Sequence, residues 1–237
     1  MPGESDDFDL LETLKWEPGH GFFLLDRHLN RLAGSARHFG FTCDIVGLRR
    51  ALDRAVSSSL TPLRLRLLLS HDGTARVEHV PLEPTRVPAR VAFAAAPVDP
   101  AGVFLYHKTT NRKVYEEARL QQPAGKVDDV VLWNADGQVT ESTIANIVAE
   151  IDGRRVTPPV TCGLLPGTFR AQLLADGAIE EGIVTIDQLR TAPRFWLINS
   201  VREWWPAQLE AQTTATMAST PMSASTATPQ TTKPNQR

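Results

Sequence analysis

The chain has 237 residues, with 25 Lys and Arg against 27 Asp and Glu, two Cys and 42% apolar residues. That length accommodates one large or two modest domains with a real core, and the near-neutral charge gives no electrostatic case for nucleic acid or an anionic membrane. Cys43 and Cys162 match no zinc or redox spacing and suit a reducing cytoplasm, no apolar run approaches the roughly 20 residues that span a bilayer, and the acidic start does not read as a signal peptide.

Residues 8–16 alternate loosely, and Glu17-Pro-Gly-His-Gly21 leads into 22–25, which predicts a β-hairpin with a Pro-Gly turn. Asp26 is the expected cap of a helix with Leu29, Leu32, Ala33, Ala36 and Phe39 in phase, ended by Gly40. Arg27, Arg31 and His38 fall elsewhere around that cylinder. A second helix is expected over 46–58. The period then changes. Leu63-Arg-Leu-Arg-Leu67 alternates strictly, as a half-buried strand does, and His71-Asp-Gly-Thr74 turns the chain into a strand over 75–81. A further strand is expected over 90–96, after which Pro97, Pro100 and Gly102 mark a candidate domain boundary.

Beyond it the pattern predicts a helix over 113–122, a strand over 129–133, a turn at Ala135-Asp-Gly137 and a strand over 144–151. Asp152-Gly153 turns the chain again. The loop Gly163-Leu-Leu-Pro-Gly167 feeds a helix over 168–176, and short strands near 183–186 and over 195–198 close the domain. From about residue 210 the chain is Thr, Ala, Ser, Pro and Gln with almost no large apolar residue. It cannot bury enough surface to order itself, so 210–237 is expected to be a disordered tail.

Chemistry centres on Phe104-Leu-Tyr-His-Lys-Thr-Thr-Asn-Arg112. Lys108 follows a short apolar run, where a strand would end, and the chain has only five lysines against twenty arginines. A lysine against apolar surface loses hydration, its pKa falls, and the neutral amine becomes available for carbonyl chemistry. The alternative is a surface lysine with its stem on Phe104 and Tyr106. Residues 163–170 open a helix whose backbone N–H groups can bind phosphate, or merely start a helix. Glu141 is placed to hold a protonated pyridine nitrogen, or is an edge glutamate in solvent. Arg31 offers a fork for a phosphate, or a solvated helix face. Ser200 follows a strand end and either meets an anion or only makes a turn. His107 is set aside as a base, because a sequence neighbour of Lys108 on extended chain points the other way. The chain has no nucleophile elbow, no phosphate loop, no zinc spacing among its six histidines and no dinucleotide loop.

His-x-x-Arg-Leu at 28–32, Lys-x-x-Asn-Arg at 108–112, Val-Thr-Glu-Ser-Thr-x-Ala-Asn at 139–146 and Leu-Pro-Gly-x-x-Arg at 165–170 occur in an order that is specific as a set. Together they resemble the class IV aminotransferase superfamily, the pyridoxal-phosphate enzymes of fold type IV. Within it, the segments Phe8-Asp-Leu-Leu-Glu-Thr-Leu14 and Leu24-Leu-Asp-Arg-His-Leu-Asn-Arg-Leu32 are most similar to the 4-amino-4-deoxychorismate lyases. The resemblance covers about 8–205.

It implies a mixed α+β / α/β fold like that of D-amino acid aminotransferase, with a trimmed small domain over 1–97 and a larger cofactor-binding domain over 98–209. It implies pyridoxal 5'-phosphate carried on Lys108, which also shuttles protons, with Glu141 on the ring nitrogen. Arg31, the loop 165–169 (Leu165, Thr168 and Phe169) and Ser200 would hold the phosphate, and Thr13, Asn111 and Arg112 would line the substrate pocket. No metal is implied.

The reaction implied is elimination of pyruvate from aminodeoxychorismate to give para-aminobenzoate for folate synthesis. A homodimer and functional association with an aminodeoxychorismate synthase are implied as well. Phe169 stands where relatives often have Ser or Thr, so one phosphate contact is expected to be lost. No tyrosine follows Lys108 at the spacing of branched-chain transaminases, which favours the lyase. A branched-chain or D-amino acid transaminase of the same fold and a non-catalytic binding module remain the alternatives.

Overall fold

The computed structural model describes residues 8–210; the tail expected to be disordered lies almost wholly outside them. Strands β1 (Leu10–Glu17) and β2 (Gly21–Phe22) form the predicted hairpin, with Trp16 opposite Phe22. β3 (Leu63–Leu69) pairs antiparallel with β1 and with β4 (Ala75–Pro81), giving a four-stranded sheet in the order β2-β1-β3-β4. Helices α1 (Leu25–Phe39) and α2 (Ile45–Val56) cover one face. Leu10, Leu14, Leu29, Leu32, Leu52 and Leu65 meet there at 1% exposure or less, each contributing roughly 1.5–3 kcal/mol of burial. α1 ends as expected at Gly40, whose φ of 76° a side chain would strain. Its start differs: Leu24 is the cap residue, without a side-chain bond, and Asp26 lies inside the first turn, paired with Arg49 of α2.

The second sheet contains β5 (Ala89–Phe93), β6 (Asp129–Trp133), β7 (Val139–Ser142), β8 (Asn146–Ile151), β9 (Arg154–Thr157), β10 (Glu180–Glu181), β11 (Phe195–Asn199) and β12 (Glu203–Leu209). Its order is β10-β9-β8-β11-β12-β5-β6-β7, and a β7–β8 pairing at Glu141↔Asn146 closes six of the strands into a ring. The interior is filled by Val91, Val131, Ile147, Leu197 and Trp205. Helices α3 (Lys113–Leu120), α4 (Thr168–Ala175) and α5 (Ile186–Thr191) pack around it. Among the described residues no helix is long and apolar enough to cross a membrane.

Four expectations change. The strand at 90–96, read as preceding the boundary at 97/98, is β5 and lies between β12 and β6, so the chain passes between sheets at 82–88. The strand expected over 144–151 begins at Asn146 and follows an unexpected strand, β7, from which it is separated by a tight turn where Ser142 Oγ and Ala145 bond each other. The strand near 183–186 is instead the start of α5, where Thr185 and Gln188 form a capping box. β12 escapes notice because Pro206 interrupts its pattern. Pro206 pairs with Trp196 on one side, and the pairing with β5 begins only at Ala207, so no ladder bond to β5 is asked of it.

Candidate active site

The sites converge where the two sheets meet, at a cavity of about 310 Å³. β1 contributes two faces. Leu10, Glu12 and Leu14 point toward α1, while Leu11 and Thr13 line the cavity. The run before Lys108 is not a strand but a single 3-10 turn, Val103–Leu105. Lys108 itself lies on extended chain pinned to β1: Leu11 N–H donates to its carbonyl (2.9 Å), and Thr109 bridges Leu10. The lysine side chain lines the cavity. Burial, then the charges of Arg31 and Arg112, push its amine down to about 8 against the opposing pull of Glu12 and Glu141. His107 points away, to Ser35 and a stack on His38.

Glu141 is buried on β7 at the ring closure. Its Oε1 accepts from Tyr115 Oη (2.8 Å) and Leu165 N–H (3.2 Å), and its Oε2 accepts from Asn146 Nδ2 (3.2 Å). Burial pushes its carboxyl up to about 7, although the Tyr115 and Leu165 bonds and the charges of Lys108 and Arg112 pull the other way. The solvent-exposed edge glutamate is thereby ruled out.

Arg31 is anchored rather than solvated. Its Nε and Nη2 donate to Glu12 Oε1 and Oε2 (2.9 and 2.6 Å), and Nη1 donates to the Pro166 carbonyl (3.1 Å). Burial would raise the Glu12 carboxyl, but the charges and hydrogen bonds of Arg31 and His28 outweigh it and hold it at about 2. An ionised carboxylate only accepts, so His28 Nδ1, 2.7 Å away, is the donor. His28 Nε2 faces Thr168 Oγ1 at 3.3 Å.

Helix α4 opens at Gly167 with no side-chain cap, and Thr168 and Phe169 lie at the cavity. A Cβ on Gly167 would run into Asn146 Oδ1, so only glycine lets the loop approach this closely. Phe169 packs its ring against Phe23 and Trp204. The loop differs from expectation at Leu165: that residue lines the cavity, but its N–H is committed to Glu141. Ser200 and Thr13 both line the cavity and meet each other, Ser200 Oγ donating to the Thr13 carbonyl (3.3 Å). Arg112 lines it too, donating to the Thr143 carbonyl with its guanidinium 4.6 Å from the Tyr115 ring centre. Asn111 is not among the lining residues.

Sequence reading missed Glu12, His28, Tyr115, Asn146, Arg64, Arg66 and Arg202. Glu12 had a usable signal: a carboxylate in phase with Leu10 and Leu14 on a core face demands a buried partner. His28, Arg31 and Ser35 likewise form a polar stripe along α1 beside the leucines.

Residues 9–209 match the family model described as amino-transferase class IV. A Schizosaccharomyces pombe protein provisionally described as an aminodeoxychorismate lyase is 31% identical over 208 residues, 84% of this chain and 88% of its own length. A Mesorhizobium loti structure provisionally described as an amino-acid aminotransferase superposes with a TM-score of 0.82 and 39% identity, over 86% of this chain and all of its own. An aminotransferase fold from Mycobacterium tuberculosis, solved in a pyridoxal-phosphate-bound form, superposes with a TM-score of 0.70 and 23% identity, over 89% and 87% of the two chains.

The residues present fit that cofactor: a lining lysine with a depressed pKa, a buried carboxylate, an anchored arginine, and an uncapped helix start shaped by a glycine. The chain belongs to the class IV aminotransferase family and is a pyridoxal-phosphate-dependent enzyme.

Proposed function

We propose that the chain is a 4-amino-4-deoxychorismate lyase, releasing pyruvate and leaving para-aminobenzoate. The observation that carries this reading is the charge of the cavity wall, where Arg64, Arg66, Arg112 and Arg202 stand with Arg31. A branched-chain substrate would call for an apolar wall, whereas aminodeoxychorismate brings two carboxylates. The lyase description of the S. pombe relative supports the same reading. The M. loti neighbour favours the second reading, a transaminase acting on amino acids.

In this reading Arg31 and the N–H groups of Thr168 and Phe169 hold the cofactor's phosphate, and Glu141 holds its ring nitrogen. When bound, pyridoxal phosphate supplies an electron sink for the pair left by C–H cleavage. The Lys108 amine, neutral in good part at pH 8, takes the proton from the carbon that bears the substrate's amine. The C–O bond to the enolpyruvyl group then breaks, its electron pair leaves on oxygen, and a proton completes pyruvate as the ring becomes aromatic. Glu141, flanked by Tyr115 and Asn146, is kept from wandering off the ring nitrogen. A homodimer, work alongside an aminodeoxychorismate synthase, and a cytoplasmic setting, which the free thiols of Cys43 and Cys162 suit, complete the proposal.

The test is incubation of the pyridoxal-phosphate-loaded chain with aminodeoxychorismate, reading para-aminobenzoate fluorescence and pyruvate together. Equal amounts of both are expected, and none from Lys108→Ala. Amino-group exchange between amino and keto acids, with no aromatic amine released, would establish the transaminase instead.

A further inference from the structure

Beside the first cavity lies a second of about 840 Å³, and Arg64, Arg112 and Arg202 line both. Arg112 is engaged by Thr143 and Tyr115. Arg64 and Arg202 are in a different state. Arg64 sits on β3 of the four-stranded sheet, half-buried, and its guanidinium has no hydrogen bond or ion pair to another described residue. Its neighbour two places on, Arg66, is more exposed and pairs with Glu78 at 3.3 Å.

Arg202 belongs to the other sheet, in the turn between β11 and β12. Asn199 Oδ1 fixes that turn by accepting the N–H groups of Val201 and Arg202 (2.9 and 2.8 Å). Arg202 Nε donates to Thr85 Oγ1 (2.9 Å), and its guanidinium lies 4.9 Å from the Trp205 ring centre. Those contacts aim the fork but leave its terminal nitrogens without a partner among the described residues. Burial, and then the charge of Arg64, pull the Arg202 pKa down, against the pull of Asp129. Two like charges from separate sheets thus line the same cavities and act on each other, an arrangement that an anion would relieve.

We propose that Arg64 and Arg202 form a clamp for the second carboxylate of a dianionic substrate, the one carried on the enolpyruvyl group. This deepens the lyase reading and rests on it. A guanidinium pair takes a carboxylate in its plane with several charge-assisted bonds, which a single lysine cannot match. The clamp also explains selection: an amino acid with an apolar side chain would leave both guanidiniums unpaired and partly desolvated.

The test uses two unreactive ligands on the pyridoxal-phosphate-loaded full chain. 3-(Carboxymethoxy)benzoate carries both charges in the right relation, and 3-methoxybenzoate lacks the second. Titration by the absorbance of the bound cofactor should show wild type preferring the dianion by at least about tenfold. Arg202→Gln and Arg64→Gln should each cut that preference by about fivefold or more, with the monoanion's affinity and the thermal midpoint unchanged. Arg202→Lys should restore part of it. The clamp is overturned if wild type shows no preference, if both variants keep it, or if both ligands weaken together. Aromatic amine release by wild type is read separately. Its absence with the dianion preference intact sinks the lyase assignment and not the clamp, and its presence with no preference does the reverse.

Discussion

Lys108 and Glu141 have their proton affinities displaced in opposite directions by one cause. Burial favours the neutral form of each, so the amine falls to about 8 and the carboxyl rises to about 7. Both therefore sit near their midpoints at neutral pH, where small changes in the site move protons. Glu12 shows the contrary balance, because Arg31 and His28 outweigh its burial and hold it at about 2 against an ordinary 4.5. A carboxyl lowered on folding stabilises the fold above pH 4.5, and that contribution is lost as pH falls toward 2. The shift corresponds to about 3 kcal/mol. Glu12→Gln should accordingly lower stability by about that amount at pH 7, and the gap to wild type should narrow below pH 4.5. Urea melts at pH 7 and pH 3.5 check this, and a gap that stays constant would show that the ion pairs are not its source.

Among the elements, β4 and β6 match the sequence reading residue for residue, since 75–81 and 129–133 are bounded by turns with unambiguous chemistry. The hairpin, α1 and α4 were legible for the same reason. β7 and β9 were not, being four residues each and too short to show a period. α4 carries the element-scale prediction. Gly167→Ala forces the loop off Asn146 and moves the helix start with it, so pyridoxal phosphate affinity should drop at least about tenfold. Equilibrium titration of the variant checks this, and unchanged affinity would separate the helix start from phosphate binding.

For the molecule as a whole, the four motifs were enough to name the fold and to single out Lys108, Glu141 and Arg31, which the structure brings to one cavity, because each is readable in a few consecutive positions. Which partner holds each of them was not readable, even where, as at Glu12, the need for one was. Glu12 meets Arg31 only when a strand packs on a helix, and Tyr115 meets Glu141 across 26 residues. Arg202 reaches the site by a turn whose other anchor, Thr85, lies 117 residues earlier. Both sheets line the cavity, so cofactor binding should stabilise the chain as one unit. At 100 times the Kd, pyridoxal phosphate should add about 2.7 kcal/mol. Calorimetry should show a single transition that moves up with cofactor in wild type and far less in Lys108→Ala. Two transitions, only one of them responding, would mean that the sheets unfold separately.

The loop over 163–167 gives Glu141 the N–H of Leu165 and gives Arg31 the carbonyl of Pro166, two adjacent residues serving two charged groups of the cavity wall. The loop is therefore a ruler. It sets the span between the carboxylate and the guanidinium in peptide units, independently of its side chains. Replacing Leu165 with another apolar residue preserves that span, whereas one inserted residue would mis-set both ends at once.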